Sequence, residues 1–333
     1  MDQRPLLPSD GLKKDPYGAH EPPIYQTSTF VFDRAADAAA AFAGETAGYV
    51  YTRINNPTVA AWERKLAALE SAGTGIEAWA LAYGSGMGAA TAAILACVKQ
   101  GDHVVGVRPL VDNTFATPVL QQPLALGADL VVQSSTKYLG GHGTVVGGGV
   151  IARDKAFVAG PLLGIRKVFG SVPSPFDTWL LLQGVKTLEL RVERATTTAA
   201  KIVAVLAKHP KVAWIRYPGL PSDPGHEVAK KQMKGFGAMI AFGIRGGTEA
   251  GRRFMDALQV AKRAVSLGCT DTLIEHPASM THAHLSPEEL TEAGITADLI
   301  RVSVGLEDAD ELEGDLLRAL DVAAAGVTVA AGR

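Results

Sequence analysis

Five short runs, "AWALAY", "HVVGV", "PLVDN", "DLVVQS" and "GGGVIA", are apolar without the polar residue at every second position that a half-solvated strand would carry. A run of that kind has to be covered on both faces, as the strands of parallel sheets in α/β folds are. The first run passes through a glycine turn, "GSGM", into a helical stretch, "GAATAAILACVKQG", with Gly101 expected to close it. Strand, glycine turn and helix in that order predict an α/β layer fold with a mostly parallel sheet.

The flanking segments differ in character. Residues 1–55 are rich in proline, glycine and polar residues, and "EPPIYQTSTFVF" reads as an extended arm suited to lying on a neighbouring subunit. A folded domain is expected from Asn56, which can cap a helix whose first position is Pro57 and whose inner face carries Val59, Trp62, Leu66 and Leu69. This large domain is expected to span 56–188. From Thr178 a long helical pattern leads into "WIRYPG", "GAMIAFGI", a helix near "GTEAGRRFMDALQV", a strand near "LIRVSVG" and a last helix, "DADELEGDLLRAL". Those elements predict a smaller α+β domain over 189–333.

Charge narrows the function classes. The formal net charge is -2, with acids and bases interleaved, so there is no basic stripe for nucleic acid and no polybasic segment for an anionic membrane. A small-molecule partner is expected instead. Cys97 and Cys269 lie far apart and without metal-ligand spacing, which fits a reducing cytoplasm. The first residues lack a signal-peptide core, and no run reaches the roughly 18 apolar residues of a membrane span. His282 and His284 in "MTHAHL", and His276 before them, have no third ligand in sequence, so no metal is expected.

Chemistry gathers at the strand ends. Asp112 closes "LVD", Ser134 closes "LVVQS" and Lys137 follows, so all three should project near the carboxyl edge of the sheet, where α/β folds bind ligands. Alone, Asp112 would pass for a turn cap and Lys137 for a surface lysine. Gly84 and Gly86 open a helix whose free N–H groups suit a phosphate, but the turn lacks the Gly-Lys-Ser/Thr ending of a nucleotide loop. A lysine for an aldehyde, an acid for a ring nitrogen, and hydroxyls with helix amides for a phosphate together match the needs of pyridoxal 5'-phosphate (PLP).

The succession "YVYTRINNPT", "YGSGM", "VDNTFATP", "SSTKYLGGH", "GSVPSPFDTWLLLQGVKTLELRVER", "IEHPASMTH" and "IRVSVGLED" resembles the Cys/Met-metabolism PLP family. That family includes cystathionine γ-synthase and γ-lyase, methionine γ-lyase and O-acetylhomoserine sulfhydrylase. The resemblance implies the type I PLP-dependent transferase fold. It makes Lys137 the cofactor-bearing lysine and proton carrier, and Asp112 the partner of the pyridine nitrogen. Ser134, Thr136 and the amides of Gly86 and Met87 would hold the phosphate. Tyr51 and Arg53 would reach the phosphate of a neighbouring subunit, which implies dimers sharing active sites, paired into a homotetramer. Arg301 would clamp the substrate carboxylate, a bidentate task suited to guanidinium, with Ser266 beside it. Val265 matches a position that is commonly Glu in cystathionine enzymes and small and apolar in methionine γ-lyases. The implied activity is α,γ-elimination of a sulfur amino acid, with methionine favoured by Val265. Cystathionine γ-lyase or γ-synthase and O-acetylhomoserine sulfhydrylase are the alternatives.

One junction resists this scheme. Only Arg108 and Pro109 separate "HVVGV" from "LVDN", whereas parallel neighbours need a crossover of about a dozen residues or more. Arg-Pro is also poor chemistry for a tight hairpin. Compared with the family, about two βα units are missing here, about sixty residues at about 30 per unit. Their loss would take away the tyrosine that stacks on the cofactor ring, an asparagine near its phenolic oxygen and a cysteine position typical of methionine γ-lyases. Either the segment belongs to the natural protein, or the chain carries a true deletion and is a catalytically dead oligomeric scaffold. Intact mass distinguishes the two: the first explanation expects the protein from its native source to be heavier than 34.8 kDa, and agreement with that value sinks it.

Overall fold

The computed structural model describes residues 18–46, 48–99, 101 and 109–324. The chain divides into two compact units, Met1–Leu188 and Glu189–Arg333.

The first unit contains helices α1 (Ala35–Ala43), α2 (Pro57–Ser71), α3 (Gly86–Cys97), α4 (Thr117–Leu120), α5 (Lys155–Phe157), α6 (Leu163–Phe169) and α7 (Pro175–Gly184). Its strands are β1 (Trp79–Tyr83), β2 (Leu110–Asp112), β3 (Leu130–Gln133) and β4 (Gly148–Ala152), in the order β1-β4-β3-β2. α2 begins as its sequence predicts: the Asn56 side chain accepts from the Thr58 N–H at 2.9 Å, Pro57 follows, and Val59, Trp62, Leu66 and Leu69 are buried. α3 ends sooner than expected. Val98 takes an extended conformation, and Gly101 with its φ of 93° stands beyond the helix. The "HVVGV" run lies outside the described residues.

Three of the four described strands of this sheet, β1, β2 and β3, share one direction, as an α/β fold of this kind requires, and β4 makes the sheet mixed. β2 and β3 pair in parallel, but β4 runs antiparallel to both β3 and β1. The return from β3 to β4 is the helix-free loop 134–147, so the chain doubles back instead of crossing over. The apolar runs are covered on both faces, as expected. Val150 and Ala152 pack with α3 residues Ala89, Ala92 and Ala93 on one face, while on the other Leu66 of α2 sits so close to Gly149 that a Cβ there would lie 2.6 Å from its Cδ1. Cover on both faces removes alternation from an antiparallel strand as well as from a parallel one.

A buried ion pair fastens the first unit. Arg166 of α6, 2% exposed, pairs with Glu63 of α2 and donates to the Ala82 carbonyl at 3.1 Å and the Ile54 carbonyl at 2.9 Å. Glu63 accepts in turn from the Ala82 N–H at 3.0 Å.

The long helical pattern from Thr178 is two helices. A 3₁₀ turn, Val185–Thr187, separates α7 from α8 (Leu188–Leu206), whose first residue closes the first unit. The second unit adds α9 (His226–Gln232), α10 (Gly247–Ala257), α11 (Pro287–Glu292) and α12 (Ala309–Ala324). Its strands are β5 (Val212–Arg216), β6 (Met239–Ile244), β7 (Lys262–Arg263), β8 (Leu273–Glu275) and β9 (Leu299–Ser303), in the order β5-β6-β9-β8-β7. Every pairing is antiparallel except β7 with β8. Phe254 of α10 meets Phe242 of β6 edge-on at 5.9 Å, and Asp315 of α12 accepts from the amides of Gln259, Val260 and Ala261, each at 2.9 Å. Among the described residues no helix is long and apolar enough to cross a membrane.

Removing one partner of a buried charge pair leaves the other uncompensated. Arg166→Ala is therefore expected to cost about 3–5 kcal/mol in urea unfolding, against under about 1 kcal/mol for Arg34→Ala, whose pair with Asp37 is exposed.

Candidate active site

Three strand ends meet at one edge of the first sheet. β1, β2 and β3 run in the same direction, so the segments that follow them, Ser85–Gly86, Asn113–Thr114 and Ser134–Lys137, leave from the same side. β4 enters from that side, with Gly148 opposite Tyr83. Here α3 and the end of β3 touch: a Cβ on Gly86 would lie 2.7 Å from the Ser134 Cβ and 2.8 Å from its Oγ. A Cβ on Gly148 would lie 2.2 Å from the Ser85 carbonyl oxygen. Glycine is required at both positions because backbone and neighbour are in contact.

At the start of α3, Ser85 caps through its Oγ, which accepts from the Gly88 N–H at 3.0 Å, while its carbonyl takes the Ala89 N–H at 3.1 Å. The Gly86 and Met87 amides precede these at the positions a helix leaves unpaired, and the Met87 side chain is exposed. After β3 the chain coils tightly: the Lys137 N–H donates to Ser134 at 3.1 Å, and the Gly141 N–H to the Lys137 carbonyl at 2.8 Å. Ser134 and Lys137 are both half-buried. Thr136 is turned to Gly147, donating to its carbonyl at 3.2 Å and accepting from its N–H at 3.0 Å.

Asp112 is exposed at the end of β2 and accepts from the Thr114 N–H at 3.0 Å. Thr114 accepts from the Ser134 N–H at 2.8 Å, binding the turn after β2 to the turn after β3. Sequence reasoning passed over Thr114; its signal was a hydroxyl two residues beyond Asp112 in "DNT". Thr117, buried and followed by Pro118, holds a φ of 60°, a strained conformation for a β-branched residue. In the arm, the Arg53 guanidinium lies 5.5 Å from the Tyr51 ring centroid and donates to the Lys167 carbonyl; both side chains are exposed.

The second unit holds the other expected residues. Arg301 faces Glu275 across the β8–β9 pair, with Nη1 3.1 Å from its Oε1, and Nη2 donates to the Ser266 carbonyl at 2.8 Å. Ser266 has a φ of 96°, the second strained non-glycine residue among those described, and Val265 beside it is exposed. Glu275 was not singled out from sequence, although a carboxylate inside the apolar strand "LIEHP" was a visible signal. His276 ties structure together, Nδ1 to Ser279 Oγ at 2.7 Å and Nε2 to the Ala297 carbonyl at 3.0 Å, and burial holds its pKa down. His282 is paired with the Thr281 hydroxyl at 2.8 Å. No group of side chains that could hold a metal occurs among the described residues.

A sequence model of the Cys/Met metabolism PLP-dependent enzymes matches residues 7–110 and 105–321. The chain belongs to that family. An L-methionine gamma-lyase of Fusobacterium nucleatum subsp. polymorphum is 40% identical over 383 residues, which take in 93% of this chain and 96% of that protein. An O-succinylhomoserine sulfhydrylase of Pseudomonas aeruginosa is 36% identical, over 93% of each chain. Among solved structures, cystathionine gamma synthase from Xanthomonas oryzae pv. oryzae, in complex with aminoacrylate and cysteine, superposes with a TM-score of 0.86 at 33% identity, covering 97% of this chain and 98% of that one.

PLP suits the residues at the first sheet's edge. An anion placed between α3 and Ser134 would meet amides the helix leaves unpaired and a hydroxyl held against them, in a cradle that a single Cβ on Gly86 would fill. The two stretches matched by the family model meet at 105–110. The alignment with the Fusobacterium enzyme spans 383 positions, and 93% of 333 residues is about 310, so about 73 positions of the alignment find no residue here.

Gly86→Ala is expected to weaken PLP binding at least about tenfold and to cost about 1–3 kcal/mol of stability through overpacking. Equilibrium dialysis against PLP and urea unfolding measure the two effects.

Proposed function

We propose that the protein is a carbon–sulfur lyase that converts L-methionine and water to methanethiol, 2-oxobutanoate and ammonia by α,γ-elimination. The observation that carries this reading is the meeting of Lys137, Asp112, Ser134 and the Gly86 and Met87 amides at one sheet edge, in a chain 40% identical to an L-methionine gamma-lyase. Bound PLP supplies the electron sink for carbanion chemistry at the amino acid. The chain supplies the rest. Lys137 carries the cofactor and moves protons between the substrate's Cα and Cβ. Asp112 keeps the pyridine nitrogen protonated. Ser134, Thr136 and the α3 amides hold the phosphate, with Thr136 turning from Gly147 to do so. Arg301 binds the substrate carboxylate, oriented from behind by the Ser266 carbonyl and Glu275. Val265 offers the far end of the substrate an uncharged surface, which suits a methyl thioether better than a second ammonium group.

The exposed Tyr51 and Arg53 fit delivery to a neighbouring subunit's phosphate, in dimers that share active sites and pair into a homotetramer. Residues 1–55 act as the arm that carries them, 56–188 as the cofactor domain and 189–333 as the C-terminal domain. Cys97 and Cys269 form no disulfide among the described residues, which fits a cytoplasmic protein.

The test is keto-acid release from methionine, cystathionine, homocysteine and O-acetylhomoserine with PLP added. Methionine should be turned over with 2-oxobutanoate as product, and Lys137→Ala should abolish both turnover and the borohydride-reducible label. Val265→Glu should lower kcat/KM for methionine about tenfold or more, as burying a lone carboxylate beside an apolar group would. Brisk turnover of cystathionine with none of methionine would reverse the assignment. Absence of any label on Lys137 would mark a scaffold without catalysis.

A further inference from the structure

Behind the edge that bears Asp112 and Ser134 lies a buried polar cluster that the reaction does not use. Glu70, in the last turn of α2, is fully buried; so are Asn113, directly after Asp112, and Gln133, directly before Ser134. Glu70 Oε1 accepts from Gln133 Nε2 at 2.6 Å and from Asn113 Nδ2 at 3.4 Å, and Asn113 Nδ2 also donates to the Gln121 carbonyl at 2.9 Å. Three buried acceptors, Glu70 Oε2, Asn113 Oδ1 and Gln133 Oε1, receive no donor from the protein. Turning either amide over sets an oxygen against Glu70 and leaves the shortage in place. A proton on Glu70 adds one donor to the cluster, converts Oε2 from an orphaned acceptor, and removes a buried charge at the same time.

We propose that Glu70 keeps a proton in the folded protein and, through Asn113 and Gln133, serves as a positioning residue for the strand ends that present Asp112 and Ser134 to the cofactor. This rests on the functional reading above for the roles of those two residues. Burial pushes the Glu70 pKa up from 4.5 to about 7, against the opposing pull of the two amides. The other titratable groups on α2 are Glu63, Arg64 and Lys65; those on the elements packed around it are Tyr83 on β1, Asp112 on β2 and Asp177 on α7, while β3, β4 and the Pro123–Leu126 turn carry none. None of these charges contributes appreciably to the Glu70 shift. A carboxyl with a raised folded-state pKa stabilises the fold fully below 4.5, and that contribution is lost as pH rises through about 7. Above that point an uncompensated negative charge lies beneath two residues that flank an anion site.

Glu70→Gln mimics the protonated acid: its oxygen can keep both accepted bonds, and it carries no charge at any pH. Two measurements on the full-length wild type and this variant, at pH 5.5 and pH 8, test the proposal. In the cofactor-free proteins the margin by which the variant melts above the wild type should widen by a few degrees between pH 5.5 and pH 8. PLP dissociation constants by equilibrium dialysis should rise between the two pH values about three- to tenfold more for wild type than for the variant. The ionisation of Lys137 affects both proteins alike and cancels in the ratio. A margin that does not widen between pH 5.5 and pH 8 overturns the retained proton, and equal changes in PLP affinity overturn the positioning role. If the wild type takes up no PLP at all, the functional reading fails and with it the positioning role, while the thermal comparison still decides whether Glu70 holds its proton.

Discussion

Much of the first unit depends on β4 entering the sheet between β1 and β3 against their direction. This is possible because Gly148 lets the incoming strand pass the Ser85 carbonyl, where a Cβ would stand 2.2 Å away. The same passage presses the start of α3 against the end of β3, with Gly86 again leaving no room for a side chain. Two glycines thus fix the distance between a helix N-terminus and a hydroxyl, which are the components of an anion site. The loop that joins the strands carries Lys137 to that edge because its only route from β3 to β4 runs around it.

Polar groups hold the unit from the inside. The Arg166–Glu63 pair connects α6, α2, β1 and the end of the arm in one buried set of bonds. Both Nη groups of Arg166 find backbone carbonyls and Glu63 finds a backbone N–H, although Arg166 Nε has no partner. The Glu70 cluster on the same helix is short of donors, with three buried oxygens left unpaired. Two carboxyl groups on α2 are therefore accommodated differently, the partly buried Glu63 by a guanidinium and the buried Glu70 by retaining a proton.

Local chemistry was legible in the sequence wherever a single residue decides a local geometry. Asn56 and Pro57 start α2 as their types require, and the strand ends that carry Asp112 and Ser134 share one edge. The reversed direction of β4 was not legible, because burial on both faces erases alternation whichever way a strand runs. The break after Gly184 was hidden for a related reason: "GVKT" sustains apolar spacing through a 3₁₀ turn. Thr114 and Glu275 were missed because their importance lies in partners remote in sequence, Ser134 and Arg301. Such pairs have no local period to reveal them.

Strain is concentrated where function is proposed. Among the described residues, Thr117 and Ser266 alone hold positive φ values without being glycine. Thr117 is kept there by its N–H, which donates to the Asn113 carbonyl at 2.8 Å, inside the turn that Asp112 opens. Ser266 turns its carbonyl to Arg301, and that bond with the Glu275 pair fixes the guanidinium from two sides. An unstrained Ser266 would point its carbonyl elsewhere and leave Arg301 held by Glu275 alone, free to swing about a single contact. Backbone strain of about 1–3 kcal/mol at such a position is small beside what a bidentate clamp loses when its fork is free to rotate. The strained conformation of Ser266 is therefore a structural requirement of a pre-set arginine.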